Sequence, residues 1–224
     1  MGKRSMISRA PFDESDIIPG FSLWESAFII AFYAAEISMT IAFGWPWMSL
    51  VISLVCILEE VLAAKKSLVT VIFGISSYAL YLTNIISHSL WGEVPMTILV
   101  YIPMVILQYS QWKRHMAGES FPSSFGGPYI FVKSLIFAIA FGIGYSIILR
   151  IIGDPFPLLD GLSTGFTVAM AILSIKRLND TWIFWMIAII LDIALWIMAG
   201  DMSMMIYFIV AAINTIYGLS FWSN

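Results

Sequence analysis

Residues 157–222 read PLLDGLSTGFTVAMAILSIKRLNDTWIFWMIAIILDIALWIMAGDMSMMIYFIVAAINTIYGLSFW. Three apolar runs, 157–175, 181–200 and 203–222, are separated by a basic turn and by Gly200-Asp201. Each run is close to the roughly 20 residues that carry a helix across a hydrocarbon layer about 30 Å thick, at about 1.5 Å per residue. Working outward, runs at 22–43, 47–64, 68–89, 94–112 and 129–152 qualify or nearly so. The linkers carry the breakers: Gly44-Trp45-Pro46, Lys65-Lys66, Gly92-Glu93 and Gly153-Asp154-Pro155. The expected fold is an all-α membrane protein of about eight transmembrane helices.

Composition agrees. Of 224 residues, 60% are hydrophobic and 11% charged, with a mean hydropathy of +0.92. A soluble domain carries roughly 25% charged residues, so a water-facing surface of ordinary size is excluded. The single cysteine, Cys56, lies in an apolar run and has no intramolecular partner. It reads as a packed hydrophobe rather than a nucleophile. The first twenty residues hold no apolar core with a cleavage site, and the Met-Gly start lacks the rest of a myristoylation motif. No zinc or haem spacing, metalloprotease motif, paired protease aspartates or phosphate-binding loop is present. These absences point away from an enzyme, a resident cofactor and a primary pump.

Orientation follows from the basic residues. With the N-terminus inside, Lys3, Arg4, Arg9, Lys65, Lys66, Lys113, Arg114, Lys176 and Arg177 face the cytoplasm, and Arg150 alone faces out. Lys133 sits one turn into the fifth helix, within snorkelling reach of the inner surface. The bias predicts a multi-pass protein of a cell membrane with both termini cytoplasmic.

A shift of 110 residues lays Trp112 on Trp222, Lys66 on Lys176, Phe73 on Ile183 and Leu99 on Ile209. The two copies, 47–112 and 157–222, start four helices apart and so enter the membrane in the same direction. The reading divides the chain into four parts. Residues 1–46 are an N-terminal stretch and an accessory helix; 47–112 are a first three-helix bundle; 113–156 are a loop and a linker helix; 157–224 are a second three-helix bundle. Duplicated bundles around a midplane site are an architecture of solute transporters.

The run IFGISSYALYLTNIISHSLWGEVPMTILVYIPMVILQYSQWKRH (72–115) resembles the PnuC family of vitamin transporters. So do FPLLDGLSTGFTVAMAILSIKRLNDTWIFW (156–185) and the terminal YGLSFW (217–222). The matching pieces are Phe73-Gly74, Gly92-Glu93, Pro103-Met104, Trp112, Leu159-Asp160, the pair Trp182 and Trp185, and Gly218 before Trp222. The resemblance implies a SWEET-like fold of two three-helix bundles joined by a linker helix, and a homotrimer. It also implies facilitated diffusion of nicotinamide riboside, trapped inside by a cytoplasmic kinase. Relatives carry thiamine, riboflavin or deoxynucleosides, so a thiamine transporter, or a vitamin-binding subunit that does not itself transport, stands as the alternative. Two departures fall where a ligand's polar groups would be read. Val105 stands where a Gln is expected, with Gln108 three places later, and Ile189 stands where Asn or Asp is common, with the acid at Asp192.

Within the helices, polar residues mark candidate substrate contacts. Trp182, Trp185, Ile189, Asp192 and Trp196 fall on one arc of the seventh helix. Asp192 lies near the midplane, where a carboxylate costs at least about 2.5 kcal/mol unless it faces a cavity or a partner. A carboxylate beside indoles suits a planar aromatic cation, such as a pyridinium or thiazolium. The competing account of tryptophans is the interfacial belt, which covers Trp45, Trp47, Trp91, Trp112 and Trp222 and competes for Trp182. The third helix carries Ser77, Tyr81, Asn84 and His88 in one stripe, with His88 expected at the solvated rim. The fourth and eighth carry Tyr101 with Gln108, and Tyr207 with Asn214 and Tyr217. The candidate set is therefore Trp182, Trp185, Asp192, Asn84, Tyr81, Gln108, Asn214 and Tyr217. Interhelical hydrogen bonds are the alternative use of Asn84, Gln108 and Asn214. Glu59-Glu60 reads as paired with Lys65-Lys66, and Asp160 as an acid at a helix N-terminus. Glu36, midway along the first helix, has no partner nameable from sequence.

Overall fold

The computed structural model describes residues 20–64, 69–116, 124–176 and 178–222; side chains at 63, 64, 108, 111–116 and 217–222 fall outside it. It is all-helical, with eight helices among the described residues. They are α1 (Leu23–Phe43), α2 (Trp47–Ala64), α3 (Thr70–Ser87), α4 (Glu93–Met96, Thr97–Tyr101 and Ile102–Met116), α5 (Gly127–Ile152), α6 (Pro157–Ile175), α7 (Asp180–Ala199) and α8 (Met202–Trp222). Five of them, α1, α3, α5, α6 and α7, are long and apolar enough to cross a membrane by length and composition. In α2, Glu59 and Glu60 interrupt the apolar run.

The boundaries have local causes. Ser22 and Glu25 form a capping box that starts α1, and Gly44, at φ 67°, ends it. Gly153 and Gly200 end α5 and α7 in the same left-handed conformation. The central turn of α4, Thr97–Tyr101, is π-helical. Pro103 follows: it has no N–H for the Leu99 carbonyl and its ring crowds that group, so the widened turn absorbs the conflict. The widening turns Tyr101 inward, where it is buried.

Helix α1 lies on α2, α2 on α3 and α8, α8 on α7, α7 on α6, and α6 on α5. The start of α4 closes the circuit against α6. The α5–α6 seam is built from small residues. A Cβ on Gly142 would come within 2.9 Å of the Gly161 carbonyl oxygen and of Leu162 Cα, and one on Gly165 would collide with the Ala138 carbonyl. Backbones approach this closely only without side chains between them. Gly142→Val should therefore separate the two helices and lower the detergent-solubilised melting temperature by several degrees. Gly144, with open space around its Cα, tolerates Ala. Equal melting shifts from the two would show that the seam does not bear on stability.

Polar side chains tie the helices together. Ser53 of α2 donates to Glu36 Oε1 at 2.6 Å, which supplies the partner for the α1 acid, and Tyr33 donates to the Leu54 carbonyl at 2.6 Å. At the end holding the turns 88–92, 153–156 and 200–201, the ties cross between residues 49–92 and residues 154–201. Asp201 Oδ2 accepts from Ser49 Oγ (2.6 Å) and Asn84 Nδ2 (3.0 Å). Asp154 accepts from the Trp91 N–H (2.9 Å), and Asp160 from the Gly92 N–H (3.0 Å). At the opposite end, Asp180 accepts from the Gly126 N–H at 2.7 Å.

Candidate functional site

Where α2, α3, α4, α7 and α8 converge, Cys56, Tyr78, Tyr81, Tyr101, Trp185, Tyr207 and Phe208 wall a cavity. About 20 Å³ of it is open to the centre of a water molecule, room for about one water. Tyr78 and Tyr101 stack at 5.2 Å, and Trp185 meets Tyr101 edge-on at 6.2 Å. Tyr81 packs against Trp196 at 5.9 Å. These rings come from both halves of the chain, residues 56–101 and 185–208. Its walls are apolar faces with phenol tips, a surface suited to a flat ring with polar substituents. The room inside it is smaller than a molecule of two rings.

Carboxyl groups flank the aromatic walls. Asp192 is fully buried; Ser163 donates to its Oδ1, while Oδ2 has no hydrogen-bond partner among the described residues. Ser53 and Ser163 are one repeat length apart, and each serves a buried acid. Tyr81 donates to Glu93 Oε2 at 3.2 Å. On the other side of the cavity, Glu59 is buried and Glu60 accepts from Asn214 Nδ2 at 3.2 Å. No group of three or more His, Cys, Asp or Glu residues among those described is arranged to hold a metal ion.

Compared with known proteins, residues 46–224 match the family model described as nicotinamide mononucleotide transporter. The chain belongs to that family. It is thus a membrane transporter and not an enzyme. The nicotinamide riboside transporter PnuC of Neisseria mucosa is 24% identical, over 99% of this chain and 89% of its own length. The Haemophilus influenzae protein of the same name is 25% identical over 94% of each. A solved structure, described as the crystal structure of the vitamin B3 transporter PnuC, shares the fold with a TM-score of 0.75 at 20% identity, covering 94% of both chains. The family match begins after α1, the helix read from sequence as lying outside the repeat.

In this family member, two of the eight candidate residues, Tyr81 and Trp185, wall the cavity. Asp192 sits in the α6–α7 interface beside it. Asn84 and Asn214 are engaged by Asp201 and Glu60, the interhelical use that sequence left open. Trp182 is half-buried one turn from Trp185. The side chains of Gln108 and Tyr217 lie outside the described residues. His88 is half-buried rather than solvated: its ring meets Trp196 edge-on at 5.4 Å, and Nε2 stands 4.0 Å from Asp201. Asp160 lies in the first turn of α6, as read from sequence; it is fully buried there and accepts from the Gly92 N–H of the α3–α4 turn. The pairing of Glu59-Glu60 with Lys65-Lys66 lies outside the described residues. Tyr78, Tyr101, Tyr207, Phe208 and Cys56 were not selected as candidates. Tyr101 and Tyr207 had a usable signal, since each falls on a polar stripe of its helix.

Proposed function

We propose that this transporter carries nicotinamide riboside into the cytoplasm by facilitated diffusion, with net flux set by phosphorylation inside. The observation that carries the reading is the aromatic cavity walled from both halves of the chain, with the buried Asp192 carboxyl at its side. A pyridinium ring finds faces to stack on and a carboxylate to answer its charge. The printed names of the two relatives agree with that solute. The reading includes cytoplasmic termini, a division into two three-helix bundles joined by α5, a homotrimer, and coupling to a kinase. Ligand-induced quenching of tryptophan fluorescence, followed by uptake into proteoliposomes, tests it against nicotinamide riboside, thiamine, riboflavin and thymidine. Nicotinamide riboside should bind most tightly and be taken up without an imposed ion gradient. A preference for thiamine would give the transporter to the other planar cation. Binding without uptake would make it a receptor subunit.

The orientation has its own check. Reporter fusions at Lys66, Arg114 and Arg177 should read cytoplasmic, and fusions at Glu93 and Asp201 external. A cytoplasmic signal at Asp201 would overturn the proposed arrangement.

A further inference from the structure

Three polar atoms on α6 and α7 are buried without a hydrogen-bond partner among the described residues: Thr167 Oγ1, Asp192 Oδ2 and Trp196 Nε1. Thr167 is 1% exposed, and the other two residues are fully buried. Unpaired buried polar atoms are uncommon, because each forfeits its solvation and gains nothing in return. Three on neighbouring turns of two packed helices, beside one cavity, call for a shared cause.

Their positions form a line. Ser163 of α6 reaches Asp192 of α7, which fixes one level. Thr167 is one turn beyond Ser163, and Trp196 one turn beyond Asp192. Because α6 and α7 run antiparallel, these two turns lead in opposite directions along the membrane normal. Thr167, Asp192 and Trp196 are thus strung at intervals of about 6 Å. The Thr167 hydroxyl lies beside the Tyr101 phenol, but the two do not meet in hydrogen-bonding geometry. Trp196 packs on Tyr81, and Asp192 is within electrostatic reach of both tyrosines. Tyr81 and Tyr101 both wall the cavity, so the line runs alongside it.

The line offers a donor-acceptor hydroxyl at one end, a carboxyl in the middle and an indole donor at the other. On the substrate assignment above, nicotinamide riboside carries the same sequence of groups: a carboxamide, a positively charged ring nitrogen, and sugar hydroxyls. We propose that the solute binds along this line with its carboxamide at Thr167, its ring nitrogen at Asp192 and its sugar at Trp196. The ring then lies beside Tyr101, between the Asp192 and Thr167 levels, and the sugar points toward the end held by Asp154, Asp160 and Asp201. Trp196 and Thr167 become specificity residues for opposite ends of one molecule.

The test pairs each residue with the ligand group it is assigned. Thr167→Val keeps the shape and removes the hydroxyl; Trp196→Phe keeps a ring against Tyr81 and removes the N–H. Affinity is measured for nicotinamide riboside, its 2′,3′-dideoxy analogue, and pyridine riboside, which lacks the carboxamide. Trp196→Phe should weaken the parent ligand by about tenfold and the dideoxy analogue little, with the pyridine analogue still sensitive. Thr167→Val should show the reverse pattern. Exchanged patterns would mean that the ligand lies the other way round, and losses that simply add for every ligand would mean that neither residue reads it. Either result overturns the proposal while leaving the solute assignment intact. If Trp196→Phe does not fold, the Thr167→Val series alone decides the orientation. A wild-type protein that binds thiamine and not nicotinamide riboside removes the solute assignment and this proposal together.

Discussion

Trp185→Ala is expected to weaken nicotinamide riboside binding by about ten- to a hundredfold. Among the described residues Trp185 is the one indole in the cavity wall, and it meets Tyr101 edge-on at 6.2 Å. Stacking of a heteroaromatic ring on an aromatic side chain is worth about 1–3 kcal/mol by alanine substitution, which gives the expected range. The control is Trp24→Ala on α1. That residue is 86% exposed, on a surface facing lipid in the proposed arrangement, and should leave affinity within a factor of two. Isothermal titration of both variants in detergent measures the difference. Comparable losses would reduce Trp185 to a packing residue.

Asp192→Asn is expected to abolish most of the preference for a charged ring over a neutral one. The carboxyl meets Ser163 and no basic side chain among the described residues. Asparagine keeps the shape and an acceptor for Ser163, so the substitution removes charge with little else. The probe pair is nicotinamide riboside and its reduced, uncharged form, measured on both proteins. Charge-assisted contacts exceed neutral ones by about 1.5 kcal/mol, so the ratio of the two affinities should change tenfold or more. Equal losses for both ligands, or none, would make Asp192 a structural acid. Reduction changes the ring's charge and aromaticity but leaves the sugar and carboxamide in place. Comparing both ligands on both proteins isolates the part that depends on the Asp192 charge, apart from the contacts assigned to Trp196 and Thr167.

The helices were legible because lipid imposes a length and because Gly, Pro and charged residues mark where each run stops. The read segment 157–175 coincides with α6, and 47–64 with α2. The π-helical turn in α4 was not anticipated, although Pro103 was its visible cause. The site was legible only in part. Periodicity tells which residues share a face, and so brought Trp185 and Tyr81 forward. It does not tell which neighbouring helix that face meets. Tyr78 is one residue from Ser77 on α3 and escaped the stripe, yet it stacks on Tyr101. Asn84 and Asn214 show the converse: an amide in an apolar helix needs a partner, and here acids 117 and 154 residues distant supply one. Such pairings depend on lateral packing between helices distant in sequence, which no single helix encodes.

The aspartates at the turn ends also bear on kinetics. If the solute enters from the end holding 88–92, 153–156 and 200–201, the bonds that Asp154, Asp160 and Asp201 make between helices there must break. Interhelical hydrogen bonds in membranes average about 0.6 kcal/mol, so the set holds that end closed by about 2–3 kcal/mol. At equilibrium the conformer open there is then a few per cent of the population or less. The affinity apparent from that side is weaker than the intrinsic one by the same fraction. On the proposed assignment, uptake at low solute concentration depends on three buried carboxyl groups at the turns as much as on the cavity itself.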